Sequence, residues 1–80
     1  FKAEGLRNKT FDLVIANILA GPLRGLAPDI ERAIAPKGQA ILSGILDEQS
    51  DWVAEAFRTT GLTVKKRASV EGWTSLLAYK

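Results

Sequence analysis

The sequence predicts an α/β fold: two parallel strands with crossover helices, closed by a terminal antiparallel β-hairpin. Three observations carry this. The runs FDLVIANILA (Phe11 to Ala20) and QAILSGIL (Gln39 to Leu46) are nearly continuous apolar stretches, too short for free-standing helices. They fit strands buried on both faces of a parallel sheet, which lack the polar-apolar alternation of half-exposed strands. Each is followed by a segment with helical spacing. The last two extended runs are separated only by Glu71-Gly72, which suits a tight antiparallel turn and is far too short for a crossover.

The first strand is expected from Thr10 or Phe11 to Ile18. Leu23, Leu26, Ala27, Ile30, Ala33 and Ile34 then follow the spacing of one helix face. Pro22 suits a first helical turn, where its missing N–H has no partner to lose. Pro28 falls inside the pattern and predicts a kink or restart, because it cannot donate to the carbonyl four residues back. Pro36-Lys37-Gly38 predicts a turn before the second strand, Gln39 to Leu46. Asp47 to Thr60 reads as a helix capped by Asp47 or Ser50, with Val53, Ala56 and Phe57 inward and Gly61 as its stop. Leu62 to Val70 and Trp73 to Tyr79 are the hairpin strands. Both crossovers are expected to be right-handed. No internal repeat, linker or low-complexity tract interrupts this order.

Eighty residues, 46% of them hydrophobic, bound the chain to one small domain, residues 1–80, with no apolar run long enough to span a membrane. It begins with Phe1 and carries no charged-then-apolar leader. The expectation is a part of a longer cytoplasmic protein, neither secreted nor membrane-bound. The net charge of +2 is spread among interspersed acids and bases. The densest basic run, Lys65-Lys66-Arg67, has no interleaved aromatic residue and reads as a solvated strand face, so direct nucleic-acid binding is not expected. The chain has no Cys and no His, which excludes disulfides, the usual zinc sites and any Ser/His or Cys/His pair within it. Ser43 precedes Gly44, but Ile41 stands where a nucleophile elbow needs its first glycine.

Sheets of this kind place ligands outside the carboxyl ends of their strands, which makes Asn17 the first candidate binding residue. Its carboxamide can donate and accept; buried, it would need partners to offset its desolvation. The alternative is that Asn17 ends the strand and caps the following turn. Gly44 within the second strand marks a close approach of backbone to a ligand or another element, or else simple packing beside a serine bonded to backbone. Trp73 and Trp52 are each open between packing and ligand contact.

FDLVIANILAGPL, LAP, PKGQAILSGIL and the closing EGWTSLLAY together resemble the methyltransferase family that modifies large-ribosomal-subunit protein eleven, the PrmA family. The resemblance runs from about Phe11 to Tyr79. It rests most on Asn17-Ile18-Leu19-Ala20 coupled to Leu42-Ser43-Gly44-Ile45-Leu46. It implies the carboxyl-terminal half of a Rossmann-like class I methyltransferase domain, with S-adenosylmethionine as cofactor and amino groups of a ribosomal protein as methyl acceptors. The family's strand-ending asparagine, which lies against the cofactor, maps onto Asn17. Related amine methyltransferases have prolines after this asparagine; Ile18 and Leu19 stand there instead, so a direct grip on the target nitrogen is not carried over. Leu19, Ser43 and Trp73 are expected beside the substrate.

An adenosyl site in this fold class also needs a glycine-rich turn after a first strand and an acid ending the next. Gly21 and Gly25, which flank Pro22 and Leu23, do not make that turn. The chain is therefore expected to form one wall of a pocket and to be inactive by itself. Its first strand, apolar on both faces, would be a bare edge in isolation and prone to pair with a second copy. A non-catalytic α/β binding or assembly module is the competing reading, and the closing hairpin argues against half of a nicotinamide dehydrogenase.

Overall fold

Strands β1 (Phe11–Asn17), β2 (Ile34–Leu46), β3 (Thr63–Val70) and β4 (Trp73–Tyr79) form one sheet in a computed structural model that describes residues 10–80. The strand order is β1-β2-β4-β3. β1 and β2 are parallel, and β4 is antiparallel to both of its neighbours, β2 and β3. The expected parallel pair and terminal hairpin are both present. The crossover after β2 does not deliver β3 to its side, however; β4 turns back and takes that place. The burial pattern explains the order. β4 alternates buried Thr74, Leu76 and Ala78 with half-buried residues, whereas β3 exposes Lys65, Lys66 and Arg67. Charged side chains are tolerated at an edge, and the more apolar strand takes the interior.

The hairpin turns on Glu71 (φ 52°) and Gly72 (φ 84°), both in the left-handed region that a tight two-residue connection requires. The first helical pattern is divided, as Pro28 predicts, into α1 (Ala20–Gly25) and α2 (Ala27–Ala33), with Pro28 in the opening turn of α2. There its absent N–H removes no helical hydrogen bond. Ile34 leaves the helix and opens β2 opposite Phe11. The expected turn survives inside β2: the register jumps from Phe11↔Ile34 to Leu13↔Gln39, and Lys37 takes φ 68° between them.

The second helix starts later than expected. Asp47–Gln49 form a 3-10 turn, and α3 spans Ser50–Arg58. Neither proposed cap acts as one: the position before α3 belongs to Gln49, without a side-chain cap bond. Ser50 donates its hydroxyl to the Asp47 carbonyl at 2.9 Å, and the Asp47 carboxylate is engaged elsewhere. Gly61 (φ 97°) ends the segment as expected, its N–H bonded to the Arg58 carbonyl at 3.0 Å.

Helix residues Leu23, Ile30, Val53 and Phe57 are fully buried together with Ile34, Leu42 and Ile45, and Val14, Ala16, Leu76 and Ala78 pack in the same core. Val53 and Phe57 face inward as expected, and Ala56 packs at the margin. One expectation fails here. Among the described residues β1 is buried on one face only, because the helices cover Val14 and Ala16 and leave Leu13 46% and Ile15 62% exposed. Among the described residues no helix is long and apolar enough to cross a membrane.

Candidate functional site at the carboxyl ends of the parallel strands

Asn17 is the last residue of β1 and pairs in register with Ser43 of β2, so the topology brings the two candidates side by side. Asn17 is exposed and Ser43 half-buried. Immediately beyond Ser43 the β2–β4 ladder is irregular: from Leu42↔Leu76 to Ile45↔Thr74, β2 uses one residue more than β4. This is a β-bulge, of the kind that bends a strand and redirects its side chains. Gly44 stands in the bulge with φ 80°. A methyl group on its Cα would lie 2.8 Å from the Asn17 Oδ1 and 3.1 Å from the Ile18 carbonyl oxygen. Both conformation and space therefore call for glycine, since a Cβ disfavours this φ and would collide with the exit of β1.

The capping alternative for Asn17 finds no support in the geometry. Leu19, not Asn17, occupies the position before α1, in extended conformation and without a side-chain cap bond. Its side chain is 69% exposed at the strand-to-helix exit. Trp73 opens β4 opposite Leu46, which puts it at the same end of the sheet as Asn17 and Ser43, and it is 49% exposed. Trp52 lies on α3, where the Arg24 guanidinium sits 4.8 Å from its ring centre and donates to its carbonyl at 2.6 Å. The side chain is 47% exposed, and the cation-π contact is one that joins α1 to α3.

Asp47, which the sequence suggests as a helix cap, ties the hairpin to the end of β2. Its backbone N–H donates to the Gly72 carbonyl at 2.9 Å. Its carboxylate accepts the Ser69 hydroxyl at 2.9 Å and the hydroxyl of the buried Thr74. The Thr74 hydrogen bond, then that of Ser69, hold the Asp47 carboxyl below its usual pKa, helped by the charge of Lys66. The sequence signal was faint: an acid ending one strand and hydroxyls flanking a hairpin more than twenty residues away. At the opposite end of the sheet, an open cleft of about 350 Å³ is lined by Lys37, Gly38, Gln39, Lys65, Leu77, Tyr79 and Lys80. It contains none of the candidate residues.

The carboxyl-end rim thus combines one exposed carboxamide, a neighbouring hydroxyl and two exposed apolar side chains, Leu19 and Trp73. It is equipped to bind and orient a polar ligand by hydrogen bonds. The chain contains no imidazole or thiol to act as nucleophile or near-neutral base.

Residues 1–80 match a family described as "Ribosomal protein L11 methyltransferase (PrmA)". A protein of that name from Brucella suis is 54% identical over 66 residues, 82% of this chain and 23% of its own length. One from Bradyrhizobium diazoefficiens is 50% identical over 70 residues, 88% of this chain and 24% of its own length. The chain thus spans about a quarter of the length of these curated relatives. The crystal structure of a ribosomal protein L11 methylase from Lactobacillus delbrueckii subsp. bulgaricus aligns with a TM-score of 0.82 at 29% identity, over 92% of this chain and 38% of that one. A methyltransferase from Pyrococcus furiosus shares the fold, with a TM-score of 0.74 at 20% identity over 94% of this chain and 43% of that one.

Proposed function

The chain belongs to the ribosomal protein L11 methyltransferase (PrmA) family, and from that premise we propose that it forms one wall of the site where S-adenosylmethionine and an acceptor amine meet. Asn17 is the residue that contacts the cofactor. The observation that carries this is its exposed carboxamide at the carboxyl end of β1, against a bulge whose glycine leaves room for it. Ligands of open α/β sheets sit at such ends.

The residues present fit the cofactor in chemical type. Its amino-acid end offers both N–H donors and carboxylate acceptors, and one carboxamide complements either. When bound, S-adenosylmethionine supplies an activated methyl group for transfer to a neutral amine. The chain's contribution is positional: Asn17 fixes a polar ligand group by hydrogen bonds, and Ser43 adds a hydroxyl beside it. Leu19 and Trp73 offer apolar surface to the acceptor protein, here ribosomal protein L11, which makes the cytoplasm the site of action. Holding reactants within about 3 Å in line supplies much of the rate in a two-substrate reaction of this kind. No glycine-rich turn follows β1, so residues 1–80 alone are inactive.

The test is transfer of labelled methyl groups from S-adenosylmethionine to purified ribosomal protein L11 by a full-length family protein carrying this chain. Incorporation into that protein is expected, with none by residues 1–80 alone. No incorporation by the full-length protein would overturn the proposal.

A further inference from the structure

We propose that Gly44 is a positioning residue, whose bare Cα in the β2 bulge sets where the Asn17 carboxamide points. Three observations converge. The bulge places an extra residue of β2 beside the end of β1. Gly44 has φ 80°, which carries its missing side-chain position toward β1. The atoms that a Cβ there would meet are the Asn17 Oδ1 at 2.8 Å and the Ile18 carbonyl oxygen at 3.1 Å. The first of these distances is inside van der Waals contact, so an added methyl must displace the carboxamide. The chain also contains its own control. Gly72 has nearly the same φ, 84°, but a Cβ there meets nothing within 4 Å. Alanine at Gly72 therefore carries the left-handed strain without the collision.

The consequence for ligand binding rests on the reading of Asn17 as a cofactor contact; the geometry itself does not. A full-length family protein carrying this chain, with asparagine labelled by ¹⁵N, separates the two. Gly44→Ala is expected to move the Asn17 side-chain amide resonances, identified by their loss in Asn17→Ala, and Gly72→Ala to leave them in place. In calorimetric titration with S-adenosylmethionine, Gly44→Ala is expected to weaken binding on the order of tenfold, the size of a lost hydrogen bond. The same change in an Asn17→Ala background should weaken it less than about twofold further, the non-additivity expected of two residues in contact.

Unmoved amide resonances in Gly44→Ala, or a full additional loss of affinity in the Asn17→Ala background, would overturn the positioning role. Moved resonances with unchanged affinity in Asn17→Ala would uphold it and remove Asn17 from the cofactor wall. If Gly44→Ala does not fold, the parent protein decides: a nuclear Overhauser contact between the Gly44 Hα protons and the Asn17 side-chain protons is expected from their approach, and its absence would overturn the proposal.

Discussion

Thr74 donates its hydroxyl to the Asp47 carboxylate across 27 residues of chain, binding the start of β4 to the residue that follows β2. Thr74 is buried, and without this acceptor its hydroxyl would lose its partner. The same carboxylate holds Ser69, so one acid fastens both strands of the hairpin at the end of the sheet that carries Trp73.

The first prediction concerns pH. The Asp47 carboxyl titrates below its ordinary value of 3.8, so the folded state favours its ionised form. A depressed folded pKa contributes stability that is present above the unfolded pKa and lost as pH falls through the folded one. In thermal melts of a full-length family protein carrying this chain, Asp47→Asn should melt below the parent at pH 7. The gap should narrow as the pH falls below about 4, where the carboxyl of the unfolded chain takes up its proton before that of the folded one. An equal gap at pH 7 and pH 3 would contradict this.

Arg24 and Trp52 yield a smaller effect. Their contact joins α1 to α3 at a half-exposed position. Arg24→Ala should cost about 0.5–1 kcal/mol in denaturant unfolding, the range of an exposed cation-π pair. It should also shift the tryptophan emission.

Phe57 sits at the centre of the core with no exposed surface. Phe57→Ala should cost about 3–5 kcal/mol in the same unfolding assay, from lost burial and the cavity left behind.

β1 is an outer strand of the sheet with Leu13 and Ile15 uncovered among the described residues. An edge of this kind pairs readily with another chain. Residues 1–80 by themselves should sediment as a concentration-dependent oligomer, and Ile15→Lys should shift them toward monomer. Unchanged sedimentation of the variant would exclude β1 as the contact.

Much of this fold was legible in local chemistry. Glu71-Gly72 suited a tight turn, Pro28 had to kink or restart a helix and does the latter, and the first strand, expected to reach Ile18, ends one residue earlier at Asn17. Less legible were features set by pairing across the sheet. The strand order depended on β3 being more charged than β4, a contrast visible in Lys65-Lys66-Arg67 whose consequence appears only once the strands compete for one interior position. Asp47 looked like a cap because caps are local, whereas its partners Ser69 and Thr74 are brought near only by the fold. Gly44 stood out as a glycine within a strand. That Asn17 is the side chain lying against it follows from the parallel register of β1 with β2.

The most direct test of the cofactor wall is calorimetric titration of S-adenosylmethionine into a full-length family protein carrying this chain, with and without Asn17→Ala. Binding about tenfold weaker in the variant, with an unchanged melting temperature, is the predicted result, as for one lost hydrogen bond. Equal affinity in two equally folded proteins would contradict it and leave Asn17 as no more than the end of a strand.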